Sequence, residues 1–221
     1  MVKTSIDKRI GTILGPAAAG KDTVLAVLGT NPAIKRIVND TTRLPRPGEV
    51  EGREYHFISD DVYEDLNCSG KYFTTNTEKG RKYGVRRTEL SLAWAKSKVP
   101  VGHFGLVDHT NIWHLSDSID LRSKSIFLTV PDFSVWRSRM EGRVSANFIS
   151  ESEMQLRASE AAKEYKFLAQ NIGRFAVVIS NEGNFGQTVD DCANFILKDI
   201  KPALDKTIIR DLIGDFASFN K

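Results

Sequence analysis

The chain has 221 residues, of which 41% are hydrophobic and 27% are charged, and its formal net charge is +3. These values are typical of a folded globular protein, and so small a net charge argues against nucleic acid as a partner. No apolar run reaches membrane-spanning length and no apolar stretch follows the charged N-terminal residues, so we expect no membrane partner and a cytoplasmic location.

Short apolar runs alternate with helical patterns along most of the chain. The apolar runs predict buried strands at residues 10–14, 36–38, 99–107, 125–130 and 175–179. The spacing of apolar residues predicts helices at residues 21–28, 87–96, 111–116, 133–142, 151–171, 187–198 and 203–216. Strands that alternate with helices form parallel sheets with helices on both faces. We therefore predict an α/β fold with a three-layer parallel sheet.

The first predicted strand leads into a loop with the composition of a phosphate-binding loop. It fits the pattern G-x-x-x-x-G-K-[ST] at every position except the last, and it consists of Gly15, Pro16, Ala17, Ala18, Ala19, Gly20, Lys21, Asp22 and Thr23. The backbone N–H groups of such a loop, together with the N-terminus of the following helix, bind the phosphates of a nucleotide. Lys21 adds a positive charge beside the transferred phosphate. We call residues 15–23 the phosphate loop.

Asp22 stands where this pattern normally has a hydroxyl that holds Mg²⁺. A carboxylate beside the β- and γ-phosphates can bind Mg²⁺ directly or through one of its waters. We therefore predict Asp22 as a metal ligand. The alternative is a loop that is partly disabled.

Residues 40–85 interrupt the alternation of strands and helices, and we predict that they form an inserted subdomain. Within it, Arg43 and Arg46 are three residues apart around stiff proline residues. This arrangement suits two guanidinium groups that bind one phosphate monoester. The hydroxyls of Tyr55 and Tyr83 would complete such a site. The alternative is a solvated charged surface with the tyrosines in the core.

Several segments of the chain resemble the guanylate kinase family. Residues 41–57 match the family pattern T-T-R-x-P-R-x-G-E-V-x-G-x-x-Y-x-F almost completely. Tyr83 with Gly84 resembles the Y-Y-G turn of the family, and residues 139–143 resemble its arginine-bearing lid. Arg157 with Ala161 and Glu164 is similar to its R-L-x-x-A-x-x-E helix, and Asn181 is similar to the asparagine near the ATP base.

The resemblance implies a P-loop kinase fold and an enzyme that uses ATP and Mg²⁺ to phosphorylate a small-molecule nucleotide, as a monomer or a homodimer. It implies that ATP is bound by the phosphate loop and Asn181. Cationic side chains would assist the transfer, namely Lys21, Arg43, Arg143 and Arg157. The monophosphate would be bound by Asn39, Arg43, Arg46, Tyr55, Thr74 and Tyr83.

The chain departs from the family where the guanine base is bound. The family has a glutamate, a hydroxyl and an aspartate there, and the aligned positions are Thr74, Val85 and Gly105. Loss of such partners weakens the preference for a buried base, so the sequence leaves the base open. Polar residues that could build a different pocket, or that are ordinary surface polarity, are Asp40, Thr75, Asn76, His103 and Asp108.

The predicted reaction is transfer of the γ-phosphoryl group of ATP to GMP, dGMP or another nucleoside monophosphate. One alternative is a phosphokinase of the ribose bisphosphate type with a non-nucleotide acceptor. Another is a catalytically silent module that binds a phosphorylated or acidic partner. For the domains, we predict a guanylate-kinase-like domain at residues 1–200, with a monophosphate-binding insertion at 40–85 and a lid at 139–157, and a helical tail at 201–221.

Overall fold

The computed structural model describes residues 8–46, 48–78, 80–180, 184–203 and 206–219. The strands in these ranges are β1 (Arg9–Leu14), β2 (Ile34–Arg36), β3 (Asn39–Thr41), β4 (Tyr55–Phe57), β5 (Tyr72–Glu78), β6 (Arg81–Arg86), β7 (Val99–His103), β8 (Arg122–Thr129) and β9 (Phe175–Ile179). The helices are α1 (Lys21–Leu28), α2 (Asp60–Cys68), α3 (Arg87–Ala95), α4 (Leu106–Ser118), α5 (Phe133–Ser145), α6 (Glu151–Gln170), α7 (Phe185–Lys198) and α8 (Lys206–Phe219), with one 3₁₀ turn at Ile172–Arg174. None of the described helices is both long and apolar enough to cross a membrane.

The strands form two sheets. The larger has the strand order β2-β7-β1-β8-β9, and the smaller has the order β4-β3-β6-β5. In the larger sheet β2 pairs with β7 in parallel, and β8 pairs with β9 in parallel. This confirms the predicted α/β fold with a parallel sheet.

The chain divides into two compact units. Unit 1 comprises residues 1–12 and 25–123, and unit 2 comprises residues 13–24 and 124–221. A buried apolar cluster in unit 1 includes Ile10, Ile37, Phe73, Val85, Leu90, Phe104, Ile112 and Leu121. Trp94 packs against this cluster, and its indole N–H donates to the carbonyl of Arg9 at 2.8 Å.

The small sheet of unit 1 lies inside the predicted insertion and was not resolved into elements by the sequence. Its strands β3 and β4 are only three residues long. Strand β6 pairs antiparallel with both β3 and β5. A side chain at Gly84 would meet the ring of Tyr72 within 2.5 Å, so close packing of that ring on the sheet requires glycine.

In unit 2 an aromatic cluster joins α5, α6 and α8. Phe216 of α8 lies with its ring centroid 4.9 Å from Trp136, 5.0 Å from Phe133 and 5.3 Å from Tyr165. Helix α6 begins at Glu151, as the sequence predicts, and the hydroxyl of Ser150 before it accepts from the Glu153 N–H at 3.1 Å. The predicted tail helix at 203–216 is observed three residues later, as α8.

Three elements of unit 1 were predicted with wrong boundaries. The strand predicted at 36–38 lies at 34–36, where it pairs with β7. The strand predicted at 99–107 ends at His103, and α4 starts at Leu106 instead of residue 111. Capping explains the early start of α4, because the Asp108 carboxylate accepts from the N–H of Gly105 at 3.3 Å.

Candidate active site

Two glycines fix the conformation of the phosphate loop, which belongs to unit 2. Gly15 has a φ of 149°, and a side chain there would approach the Leu128 carbonyl oxygen to 2.0 Å. Gly20 has a φ of 87° and directly precedes α1. The first N–H groups of α1 have no acceptor within the helix. The loop therefore presents a helix N-terminus of the kind that binds phosphate.

Two side chains of helix α5 donate hydrogen bonds to carbonyl groups of the phosphate loop. The indole N–H of Trp136 donates to the Ala17 carbonyl at 3.0 Å, and the Arg139 guanidinium donates to the Ala18 carbonyl at 2.8 Å. Ala18 adopts a φ of 65°, which is unusual for a residue with a side chain. These contacts support the strained loop from outside. Sequence patterns did not reveal this role of Trp136 and Arg139, because it depends on contacts about 120 residues apart in the chain.

Lys21 lies among charges that favour phosphate binding. Its ammonium group donates to the carbonyls of Gly15 and of Pro16, the latter at 2.9 Å. Burial lowers the pKa of Lys21, and so do the charges of Arg143 and Arg157, against an opposing effect of Glu164 and of Asp22. Charges act in this way from nearby, so the structure gathers three of the predicted transfer cations, Lys21, Arg143 and Arg157, in unit 2.

Two further residues predicted for the nucleotide side, Arg157 and Asp22, lie on α6 and α1. Arg157 is held on α6 by Glu153 at 3.1 Å and by Glu160 at 3.2 Å. Asp22 is exposed in the first turn of α1, where a negative charge is favourable. Across the described residues, no group of three or more His, Cys, Asp or Glu side chains is placed to hold a metal ion. Asn181 lies outside the described residues.

The side chain of Arg43 interacts with several neighbouring side chains in unit 1. Its side chain is only 6% exposed, and its two terminal nitrogens donate to both oxygens of Glu49 at 2.8 Å. The guanidinium lies 5.3 Å from the ring centroid of Tyr55 and 5.7 Å from that of Phe57. Hydrogen bonds from Arg43 and from the Arg46 N–H outweigh the effect of burial and hold the pKa of Glu49 below its usual value. Arg46 itself is exposed.

Strand register places most predicted monophosphate-binding residues on one face of the small sheet. Directly paired residues project to the same side of a sheet, as do alternate residues of one strand. The pairs that define this face are Asn39 with Tyr55, Thr41 with Phe57, Thr41 with Tyr83, Asn76 with Tyr83, and Thr74 with Val85. We call it the acceptor face.

The last residue of β7 and the first turn of α4 form hydrogen bonds with residues of the acceptor face. At one end, the His103 ring is hydrogen-bonded to the Tyr55 hydroxyl at 3.0 Å, and the His103 carbonyl accepts from Asn39 at 3.3 Å. At the other end, the Thr74 hydroxyl donates to Asp108 at 3.0 Å. Burial raises the pKa of Asp108 to about 6, although hydrogen bonds from Thr74, from the Gly105 N–H and from Asn76 oppose this rise.

Asp40 and Thr75 belong to the opposite face of the small sheet. Both pair with Gly84 and so project away from the acceptor face. Asp40 is fully buried, and one of its carboxylate oxygens accepts from Tyr72 at 2.7 Å and from Arg86 at 2.8 Å. The sequence did not decide which polar residues surround the acceptor face. In the structure Asn76 lies on this face, and His103 and Asp108 form hydrogen bonds with residues of it. Asp40 and Thr75 do not belong to this face.

The parallel sheet, the glycine-bounded loop between β1 and α1, and the lysine at the start of α1 define the class of this protein as a P-loop phosphotransferase. A family model described as guanylate kinase matches residues 7–199. The chain therefore belongs to the guanylate kinase family, whose enzymes are nucleoside monophosphate kinases.

Individual relatives agree with this assignment. A guanylate kinase of Bifidobacterium longum is 30% identical over 187 residues, which are 84% of this chain and 89% of the relative. One of Thiobacillus denitrificans is 33% identical over 135 residues, which are 59% of this chain and 61% of that relative. The crystal structure of guanylate kinase from Anaplasma phagocytophilum shares the fold with a TM-score of 0.63 and 18% identity, over 98% of this chain and 97% of the other.

Proposed function

We propose that this protein is an ATP- and Mg²⁺-dependent kinase that phosphorylates GMP or dGMP and produces ADP and a nucleoside diphosphate. The observation that carries the proposal is the group of three cations in unit 2. Lys21 starts the helix that follows the phosphate loop, and the charges of Arg143 and Arg157 act on it. Phosphoryl transfer proceeds through a loose transition state whose charge lies on peripheral oxygens, so positioned cations supply most of the catalysis.

The acceptor face of unit 1 supports the choice of a phosphate monoester as the acceptor. Arg43 presents a planar guanidinium that is suited to two oxygens of one phosphate, and Glu49 fixes its orientation. Tyr55 and Tyr83 lie with ring centroids 6.0 Å apart on the same face, where their hydroxyls would donate to the same phosphate. Arg46 would contribute its exposed guanidinium.

Asp22 is the residue of the phosphate loop that fits Mg²⁺, because its carboxylate is exposed at the start of α1. Mg²⁺ takes one or two protein carboxylates and completes its coordination with phosphate oxygens and water. When bound, the ion would neutralise charge on the β- and γ-phosphates.

An assay of ADP release against a panel of GMP, dGMP, AMP, CMP and UMP tests the proposal. We expect turnover with GMP or dGMP. Lys21→Ala and Arg157→Ala should each reduce kcat by roughly 10²–10³-fold, because each removes a cation that acts in the transition state. Lys163→Ala is the matched control, since Lys163 is exposed on the same helix as Arg157 and should leave kcat unchanged.

Other results would favour an alternative function or contradict the proposal. Turnover with a ribose bisphosphate but with no nucleoside monophosphate would support a non-nucleotide acceptor. Failure to bind ATP in a calorimetric titration would support a silent binding module. Normal turnover in Lys21→Ala would contradict the assignment of the phosphate loop.

A further inference from the structure

The imidazole ring of His103 contacts the hydroxyl of a tyrosine that we assign to the acceptor phosphate. Its Nε2 atom lies 3.0 Å from the Tyr55 hydroxyl oxygen, and the two rings meet nearly at right angles with centroids 5.9 Å apart. His103 is the last residue of β7, and its carbonyl accepts from the Asn39 side chain at 3.3 Å. The small sheet therefore holds both the backbone and the ring of His103.

Tyr55 connects His103 with the predicted phosphate site. The Arg43 guanidinium lies 5.3 Å from the Tyr55 ring centroid, and the Tyr83 ring centroid lies 6.0 Å from it. Burial alone would lower the pKa of Arg43, but Glu49 and the hydroxyls of Tyr55 and Tyr83 raise it, so both hydroxyls lie near the guanidinium. A phosphate bound by Arg43 would therefore lie beside the same hydroxyl that contacts His103.

The direction of the hydrogen bond between His103 and Tyr55 determines what Tyr55 can offer a phosphate. A phenol has one proton to donate, and its oxygen lone pairs accept. If Nε2 carries no proton, it accepts the proton of the hydroxyl, and Tyr55 then presents only lone pairs, which a phosphate oxygen repels. If Nε2 carries a proton, it donates to the Tyr55 oxygen and leaves the hydroxyl proton for the phosphate. A ring with Nε2–H is therefore the form that supports binding of an anion.

The charges around the predicted phosphate site favour the doubly protonated form of this ring once a phosphate is bound. The charge of Arg43 is offset by Glu49, to which it donates two hydrogen bonds of 2.8 Å. Arg46 is the further cation that we assign to the phosphate, so these three residues supply a single net positive charge. A phosphate monoester carries about −1.5 to −2 charges at neutral pH. A protonated His103 would supply a second positive charge through the Tyr55 hydroxyl.

We propose that His103 is a positioning residue for the acceptor phosphate, which takes up a proton when the phosphate binds and donates to Tyr55, so that Tyr55 donates to the phosphate. The inference rests on the proposed function, because it takes the acceptor to be a phosphate monoester held by Arg43 and Tyr55. The proton comes from solvent, and His103 makes or breaks no bond of the acceptor. It should therefore govern binding of the acceptor and leave the transfer step unchanged.

Helix α4 carries two other titratable groups that bear on the pH dependence. Burial, and to a lesser extent the charge of His103, lowers the pKa of His109 to about 4, so His109 stays neutral where a histidine ordinarily titrates. Burial raises the pKa of Asp108 to about 6, close to the ordinary histidine value of about 6.5. Tyrosine and arginine, the side chains at positions 55 and 43, ordinarily titrate well above this range. A comparison with a variant at position 103 therefore separates His103 from Asp108.

Calorimetric titration with GMP, without ATP, tests the protonation of His103. Titrations at pH 7.5 in two buffers of different ionisation enthalpy measure the protons that are taken up. We expect the wild type to take up roughly 0.3–0.5 proton, as a histidine does when a nearby dianion raises its pKa by about one unit. His103→Gln keeps an N–H donor but cannot be protonated, so it should bind GMP within about three-fold of the wild type and lose this uptake. His114→Gln, at an exposed position on α4, should keep it.

Steady-state kinetics with ATP test the positioning role. His103→Leu removes the donor, so the KM for GMP should rise by about 10-fold or more, because a hydrogen bond that involves a charged group is lost. The kcat and the KM for ATP should change little. In the Tyr55→Phe background, His103→Leu should have little further effect on the KM for GMP, because His103 acts through the Tyr55 hydroxyl. His103→Gln should keep the KM for GMP near the wild-type value.

The outcomes separate this inference from the proposed function. Equal proton uptake by the wild type and His103→Gln, or additive effects of His103→Leu and Tyr55→Phe, would overturn the inference and leave the kinase intact. If His103→Leu does not fold, the calorimetric comparison with His103→Gln is sufficient by itself. Proton uptake on GMP binding that depends on His103, in a protein without transfer activity, would support the inference and contradict the proposed function.

Discussion

Arg43, which we propose to bind the acceptor phosphate, is ordered by its neighbours in the absence of a ligand. Two of its N–H groups bind Glu49, and a further bond reaches the Leu44 carbonyl at 2.7 Å. Aromatic rings of Tyr55 and Phe57 lie near the guanidinium. A free arginine side chain loses about 2 kcal/mol of rotamer entropy when it is fixed. Glu49 therefore orders the cation in advance, while Arg43 keeps donors for a phosphate.

Asp108 makes a prediction about stability that does not depend on any ligand. Its pKa in the folded protein is about 6, against an ordinary value of 3.8, because the group is buried. A raised pKa stabilises the fold below the unfolded value and loses that contribution as the pH rises through the folded value. Relative to wild type, Asp108→Asn should therefore gain about 1 kcal/mol of unfolding free energy between pH 5 and pH 7.5.

Urea unfolding at the two pH values measures this difference. The part of the effect of Asp108→Asn on stability that does not depend on pH is the same at both pH values and cancels in the comparison. Glu78 and Tyr63 are the titratable groups that interact with Asp108, and both are unchanged in the variant. Asp120→Asn, at an exposed position after α4, should show no such gain. Parallel pH profiles of wild type and Asp108→Asn would contradict the raised pKa.

At the scale of elements, helix α8 supports the phosphate loop through α5. Phe216 of α8 packs on Trp136 with ring centroids 4.9 Å apart, and Trp136 is completely buried. The same tryptophan holds the Ala17 carbonyl of the loop at 3.0 Å. The chain of contacts thus runs from α8 to the backbone that would bind the triphosphate. Helix α8, which lies in the predicted tail, thus packs against the tryptophan that holds the phosphate loop.

Phe216→Ala should therefore affect ATP more than the acceptor. Removal of this fully buried ring should lower the free energy of unfolding by about 3–5 kcal/mol. Trp136 would lose one of its packing partners, so the KM for ATP should rise while the KM for GMP changes little. Arg210→Ala, an exposed position on the same helix, serves as the control for both measurements. Equal increases in the two KM values would argue against a specific link between α8 and the loop.

At the scale of the whole molecule, sequence periodicity located the elements with continuous apolar patterns. Helix α1 and strand β9 occur at the predicted residues. The small sheet escaped prediction because β3 and β4 are only three residues long and β5 and β6 are largely polar. Its strands are also held by partners distant in sequence. The start of α4 was misplaced because Asp108 caps the helix within a run of apolar residues.

The candidate site was predictable to the extent that it depends on local motifs. The phosphate loop has a fixed spacing, and the segment with Arg43 matches a family pattern. The contact of Thr74 with Asp108 joins residues 34 positions apart, and that of Trp136 with Ala17 joins residues 119 positions apart. No spacing within one sequence encodes such contacts. They follow from strand register and helix packing, which only the folded chain displays.

The residues proposed for ATP lie in unit 2 and those proposed for the acceptor lie in unit 1, so each ligand should protect its own unit from hydrogen exchange. A non-hydrolysable ATP analogue should slow exchange at residues 15–23 of unit 2, because the phosphates would accept from those N–H groups. GMP should slow exchange in β3, β5 and β6 of unit 1. A ligand at 100 times its Kd adds about 2.7 kcal/mol of stability, so exchange through openings that release it should slow by up to about 100-fold.

Lys21→Ala should abolish the protection by the ATP analogue and spare the protection by GMP, and Arg43→Ala should do the reverse. Protection of β3, β5 and β6 by the ATP analogue alone, with none from GMP, would show that the acceptor face has been assigned to the wrong ligand.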